Sequence, residues 1–82
     1  MVTVKFYNLL RSKYDIKQFE VNPGSIFDVL SQIELMFPQI VMKDFDHCVV
    51  FINQFKVIHE SKFHTVVDSG DEVVFTHFVG GG

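Results

Sequence analysis

Cysteine is almost absent from this sequence of 82 residues, and its scarcity limits how the fold can be stabilised. Cys48 is the only cysteine, so no internal disulfide can form. The first residues also lack the basic stretch and long apolar run of a signal peptide, and we expect a cytoplasmic protein. Without disulfides or a metal, so small a domain needs a dense apolar core, and ten phenylalanines can supply it.

Positive charge is also scarce. The formal net charge is -3, whereas nucleic-acid binding requires a clustered excess of Lys and Arg. No apolar run approaches the roughly 20 residues that cross a bilayer. Apolar residues make up 48% of the chain and charged residues 21%, which is usual for a globular protein. We therefore predict one domain that folds alone and binds neither nucleic acid nor a membrane.

Side chains suited to catalysis or metal binding are few. His47, His59, His64 and His77 show no pair at metal-binding spacing with cysteine or carboxylate support, so no metal is predicted. Cys48 opens an apolar run without a flanking Lys or Arg, which favours a buried structural cysteine over a persulfide acceptor. With no catalytic apparatus visible, we predict that the chain is not an enzyme by itself.

The first 21 residues predict a β-hairpin. Val2, Val4 and Phe6 alternate with polar residues over residues 2–7, the period-2 pattern of a half-buried strand. Residues 11–15 are polar and predict a connecting loop. Residues 16–21, in which Phe19 and Val21 alternate with polar side chains, predict the second strand.

The next segment predicts the main helix. Ser25 follows Pro23-Gly24 as an N-cap, and Asp28 lies where a carboxylate favours the positive helix end. Pro38 disfavours helical geometry at the preceding residue and ends the helix near Met36. The apolar stripe has helical spacing and comprises Ile26, Val29, Leu30, Ile33 and Phe37.

Three further strands are predicted after the helix. Residues 48–52 form a continuous apolar run rich in β-branched side chains, and Asn53-Gln54 predicts a turn into a short strand over residues 55–58. The turn residues Asp68-Ser69-Gly70-Asp71 precede a last strand over residues 72–78. The order β-β-α-β-β-β predicts an α+β fold of the β-grasp, or ubiquitin-like, class, with one helix on one face of a mixed sheet. Residues 1–78 are the predicted domain, and residues 79–82 a flexible glycine tail.

The three glycines that end the chain, Gly80, Gly81 and Gly82, are its most informative feature. Glycine is costly to order, so its use here is steric: a chain without Cβ atoms can enter a narrow channel of a partner and bring its carboxylate to bound ATP. The seven residues from Thr76 to Gly82 reach roughly 25 Å when extended. An adenylated carboxyl is an electrophile that a sulfur donor can convert to a thiocarboxylate. The alternative is a frayed terminus without function.

Five motifs along the chain are found in the same order in a known family. They are Val4-Lys5-Phe6-Tyr7-Asn8-Leu9-Leu10-Arg11, Gly24-Ser25, Ile52-Asn53, Asp68-Ser69-Gly70-Asp71-Glu72-Val73 and the final Gly81-Gly82. With these motifs the sequence resembles the MoaD and ThiS sulfur carriers, most closely the small subunit of molybdopterin synthase. The resemblance implies a β-grasp fold, adenylation of the last glycine by an E1-like enzyme, and sulfur carriage as a thiocarboxylate. Two features depart from the molybdopterin-type subunit: His77-Phe78 replaces the prolines before the tail, and Gly80 replaces a common Ser or Thr.

These features define a predicted site at the C-terminus. Gly82 carries the activated carboxyl, Gly80 and Gly81 give steric access, and three apolar residues, Phe75, Phe78 and Val79, dock partners. The implied partners are an E1-like enzyme, which uses ATP, and the large subunit of molybdopterin synthase or another sulfur-accepting enzyme. No cofactor is expected on the chain itself. Two alternatives stay open: a carrier for thiamin synthesis or tRNA thiolation, and a protein modifier joined to lysine through Gly82.

Overall fold

A mixed five-stranded sheet is the centre of the fold, and the computed structural model describes residues 1–77 of the chain. The elements are β1 (Val2–Phe6), α1 (Asn8–Tyr14), β2 (Gln18–Val21), β3 (Gly24–Ser25), α2 (Ile26–Met36), a 3-10 helix (Met42–Phe45), β4 (Val49–Ile52), β5 (Lys56–Ile58), a second 3-10 helix (Glu60–Lys62), β6 (Val66–Val67) and β7 (Glu72–Thr76).

The strand order of the sheet is β2-β1-β7-β4-β5, in which β1 and β7 are parallel and the other neighbours antiparallel. The two-residue strands β3 and β6 pair separately. This arrangement confirms the predicted β-grasp fold.

Helix α2 begins at the predicted N-cap. The Ser25 hydroxyl accepts a hydrogen bond from the Asp28 backbone N–H at 3.1 Å, and the Asp28 carboxylate accepts one from the Ser25 N–H at 2.9 Å. This reciprocal pair is a capping box, which satisfies two backbone donors at the helix start. Gly24 leaves room for it, because a Cβ there would lie 2.8 Å from Asp28 Oδ2. The helix ends at Met36, before Pro38, as predicted.

The core lies between α2 and one face of the sheet. Ile26, Val29 and Ile33 are fully buried on the helix side, as the stripe predicted, and the sheet contributes Val4 and Phe75 among others. Aromatic edge-to-face contacts join the strands to the first 3-10 helix: Phe45 and Phe75 have ring centroids 5.3 Å apart.

Replacing Ile33 with alanine is expected to destabilise the fold by about 2 to 5 kcal/mol, because the buried side chain leaves a cavity under the sheet. Leu35→Ala is the matched control. Leu35 belongs to the same helix but is 81% exposed, so its truncation should change stability by no more than about 0.5 kcal/mol. Denaturant unfolding measures both, and equal losses would show that the buried face of α2 is wrongly assigned.

The polar connection predicted at residues 11–15 is wrong. Residues Asn8–Tyr14 form helix α1, which buries Leu10 in the core and ends at Asp15 in the left-handed region with φ of 54°. Its two turns contain too few apolar positions to show a helical period. Neither helix in residues 1–77 is long and apolar enough to span a bilayer.

Several strand boundaries also differ from the prediction. β7 ends at Thr76, short of the predicted Phe78, and β5 begins at Lys56, which leaves Phe55 at the turn with 90% of its surface exposed. Phe51 lies in the apolar run of residues 48–52 but is only half-buried. Its neighbours Val50 and Ile52 take the two inward positions of β4, so Phe51 points to the opposite face.

Candidate functional site

Strand β7 determines where the C-terminal segment leaves the domain. It lies in the middle of the sheet and pairs with β1 on one side and β4 on the other. Its last residue, Thr76, is buried. We call Thr76 and His77, with the side chains that bind them, the tail root.

Asn8 holds the tail root from the N-terminal side. Its amide Nδ2 donates to Thr76 Oγ1 at 2.7 Å and lies 3.4 Å from the carbonyl oxygen of His77. The adjacent Tyr7 N–H donates to the Phe75 carbonyl at 3.1 Å. Asn8 adopts a positive φ of 56°, a conformation that asparagine tolerates better than most residues. The segment that follows β1 is therefore hydrogen-bonded to the segment that follows β7.

His77 holds the tail root from the other side. Its Nε2 lies 2.7 Å from the Asp44 carbonyl oxygen, which can only accept, so Nε2 carries the proton in this hydrogen bond. The Asp44 carboxylate binds Lys13 Nζ at 2.7 Å and the Tyr14 hydroxyl. These bonds, from Lys13 first and Tyr14 second, lower the pKa of Asp44. The first 3-10 helix and α1 therefore support the position of His77.

The sheet face opposite α2 carries an apolar groove beside the tail root. Its floor includes Phe51, Val74 and Thr76, and Tyr7 stands at its edge with 44% of its surface exposed. Val57, the cross-strand neighbour of Phe51, is 45% exposed. We call this surface the open face. Its apolar part runs along β7 towards the tail root, and Gln54 and Glu72 line it at the other end of the strand.

A hydrogen-bond network joins the two turns at the opposite end of β7. Asn53 Nδ2 donates to Asp71 Oδ1 at 3.1 Å, and Asn53 Oδ1 accepts from the Glu72 N–H at 2.9 Å. Asp71 Oδ2 also accepts from the Asp68 N–H at 2.8 Å. The bond from Asp68, followed by that from Asn53, lowers the pKa of Asp71. These contacts give a structural reason for the presence of Asn53 and Asp71 in two of the matching motifs.

This network predicts an acid-sensitive contribution to stability. The carboxylate pKa of Asp71 is lower in the folded state, so its stabilisation is present above the unfolded value of about 3.9 and is lost as pH falls through the folded pKa. Asp71→Asn should therefore flatten the pH dependence of unfolding in the acid range. Glu34→Gln, which removes an exposed carboxylate of α2, serves as the control. Equal flattening in both variants would contradict a specific role for Asp71.

The structure corrects the role predicted for Phe75 and supports the structural role predicted for Cys48. Phe75 is fully buried against Phe6 and Phe45, so its ring belongs to the core, and the partner-binding role predicted for it is wrong. Cys48 is buried, and desolvation raises its thiol pKa to about 12, which makes a thiolate rare at neutral pH. No three His, Cys, Asp or Glu side chains within residues 1–77 are placed to hold a metal ion.

The other predicted site residues, Phe78, Val79 and Gly80 to Gly82, lie outside the described residues. Sequence reasoning missed the roles of Asn8, Asp44 and His77. Asn8 occurs in a matching motif, but its contact with Thr76 crosses 68 residues of sequence, and no local pattern indicates such a pair. The sequence gives His77 only as a histidine without metal-binding spacing and as a departure from the molybdopterin-type sequence.

Comparison with known proteins places the chain in a family. The family model described as ThiS family matches residues 4–82, and no curated protein matches the sequence. Among solved structures, the chain is similar to one from a complex of subunits 1 and 2 of the molybdopterin-converting factor of Helicobacter pylori 26695. The TM-score is 0.62 at 17% identity, over 99% of this chain and 97% of the other. It is also similar to the HVO 2177 protein of Haloferax volcanii, with a TM-score of 0.69 at 22% identity, over 99% and 85%. Because the family match covers nearly the whole chain, this protein belongs to the ThiS family of sulfur carriers.

Proposed function

We propose that this protein carries sulfur as a thiocarboxylate on Gly82. The carboxylate oxygen attacks the α-phosphate of ATP on an E1-like enzyme, and pyrophosphate leaves. Sulfur from a hydrosulfide equivalent then attacks the acyl carbon, AMP leaves with the electrons of the broken C–O bond, and a proton is released. The carrier supplies the electrophile, while the enzyme supplies the nucleotide site.

The observation that carries this proposal is the position of a Gly-Gly terminus shortly after a central strand in a ThiS-family chain. Hydrogen bonds from Asn8, and from His77 to Asp44, hold the tail root on a rigid support. The seven residues from Thr76 to Gly82 can then span roughly 25 Å into a partner. Gly80 and Gly81 keep that segment narrow, and Phe78 and Val79 are proposed to contact the partner at its entrance.

For the partner at which the sulfur is donated, we propose the large subunit of an enzyme that acts in molybdenum cofactor biosynthesis. The Helicobacter pylori neighbour was solved in a complex of two molybdopterin-converting factor subunits, and the sequence resembles the small subunit of molybdopterin synthase. The open face offers the partner an apolar surface beside the tail root. A carrier that supplies sulfur for thiamin synthesis or tRNA thiolation would pass through the same adenylation and thiocarboxylate steps and would differ only in the acceptor.

ATP–pyrophosphate exchange tests the activation step. With the E1-like enzyme of the same organism, exchange should require this protein and its Gly82 carboxylate, and no exchange would contradict the proposal. A search for conjugates should follow on the activated protein. Lysine-linked products that survive reduction and denaturation would instead identify a protein modifier.

The open face predicts a docking effect. Val57→Glu is expected to weaken binding to the E1-like enzyme or the large subunit by more than about 1 kcal/mol, because a carboxylate would enter an apolar contact. Leu35→Glu, on exposed α2 surface across the sheet, is the matched control and should leave affinity unchanged. Calorimetric titration measures both. If only the Leu35 variant lost affinity, the docking face would be the helical one.

A further inference from the structure

Positive charge is concentrated in the first part of this acidic protein. Residues 1–17 contain Lys5, Arg11, Lys13 and Lys17 against the single carboxylate of Asp15, a formal charge of +3. Residues 18–82 contain three lysines and nine acidic residues, a formal charge of -6. The two parts sum to the net charge of -3. The positive charge of the sequence is therefore concentrated in residues 1–17.

Folding gathers three of these cations around one groove of about 290 Å³. Lys5 lies on β1 opposite Gln18 of β2, Arg11 comes from the last turn of α1, and Lys17 directly precedes β2. No carboxylate lines this groove. Lys5 is paired with Glu72 at 2.9 Å, but Arg11 and Lys17 have no salt bridge within residues 1–77. We call this surface the cationic groove.

The cationic groove adjoins both parts of the candidate site. Tyr7 lines it and also lines the apolar groove of the open face, so the two grooves share one wall. Asn8 lines it too, and the same side chain binds Thr76 at the tail root. A partner that covered the open face and took the C-terminal segment would therefore lie beside Arg11 and Lys17.

We propose that the cationic groove binds an acidic peptide segment of the protein partner that receives the tail. This inference rests on the proposed function for the partner's identity. Carboxylates on the partner would pair with Arg11 and Lys17, and an adjoining apolar side chain would pass Tyr7 onto the open face. The amides of Asn8 and Gln18 add neutral donors for a peptide. Such complementary charges raise the association rate and select the partner.

A peptide fits the charges better than a nucleic acid does. Arg11 and Lys17, which have no salt bridge within residues 1–77, make a short positive surface that matches a few carboxylates better than a continuous phosphate backbone. An extended acidic peptide needs only a few carboxylates at the groove. Its binding should weaken as salt screens exposed charges.

Nuclear magnetic resonance titration of the full-length protein with a hexaglutamate peptide tests the groove. At an ionic strength on the order of 0.02 M, we expect shifts in the amides of residues 5–18, and these should fade near about 0.5 M. The double variant Arg11→Glu/Lys17→Glu should bind about tenfold more weakly or worse. Lys56→Glu/Lys62→Glu makes the same charge change outside the groove and should retain binding.

Two results would overturn the proposal: equal losses in the two double variants, which would reveal only a net-charge effect, or tighter groove binding of an oligouridylate of equal charge. If the Arg11→Glu/Lys17→Glu variant does not fold, Arg11→Gln/Lys17→Gln takes its place in the titration, and thermal unfolding checks that this variant is folded.

The protein lacking Gly81 and Gly82 should bind hexaglutamate like the full chain. Groove binding without adenylation would therefore refute the proposed function alone, and adenylation without groove binding would refute this inference alone.

Discussion

Removing Gly81 and Gly82 is expected to abolish adenylation and sulfur loading, while the thermal unfolding temperature stays within measurement error. The deletion takes away the proposed reacting carboxylate and moves the new terminus back by two residues, up to roughly 7 Å along an extended chain. The core described within residues 1–77 comprises side chains from Val2 to Phe75, and glycine has no side chain to add to it. Exchange assays and melting curves on the same preparation measure the two effects.

Gly80→Ser is the control for this deletion. The molybdopterin-type carriers that the sequence resembles often have Ser or Thr at the corresponding position, so this variant should still be loaded. A truncated protein that retained full loading would place the reacting group elsewhere. A fall of many degrees in unfolding temperature would show that the terminal glycines stabilise the fold.

Phe75→Ala is expected to destabilise the domain by about 3 to 5 kcal/mol, the usual cost of truncating a large core aromatic. Phe75 is fully buried, and its ring packs edge-to-face on Phe6 and Phe45. Phe55→Ala is the matched control, because that ring is almost fully exposed at the β4–β5 turn. The Phe55→Ala variant should lose no more than about 0.5 kcal/mol of unfolding free energy.

The same Phe75 variant separates core packing from docking. Once affinity is corrected for the folded fraction, Phe75→Ala should bind its partner like the unchanged protein. A small stability loss together with weakened binding would restore the docking role that the structure removes from Phe75. Denaturant unfolding and calorimetry on one preparation distinguish these outcomes.

The parts of the fold that local chemistry determines were predictable from sequence. Ser25 and Asp28 predict the start of helix α2 and Pro38 predicts its end, because helix capping and helix termination depend on neighbours within four residues. Helix α1 was missed, since its seven residues gain stability from burying Leu10 and not from a visible period. The end of β7 was placed two residues too far because alternation alone does not reveal where pairing stops.

The candidate site divides in the same way. Gly80 to Gly82 are visible in sequence because their chemistry depends only on being small and terminal. The tail root was not visible: the contacts of Asn8 with Thr76 and of His77 with Asp44 span 68 and 33 residues. They exist because β1 pairs in parallel with β7 and because the first 3-10 helix packs on β7 through Phe45 and Phe75. Phe75 was misassigned since a strand pattern does not distinguish a core position from an interface position near a terminus.

The intact mass of the protein after reaction with its E1-like enzyme, ATP and a sulfur donor tests the central claim most directly. The account predicts a mass increase equal to the exchange of one oxygen for one sulfur, located by fragmentation at Gly82 and absent when ATP is omitted. An unchanged mass with an active enzyme, or sulfur located on Cys48 instead, would contradict it.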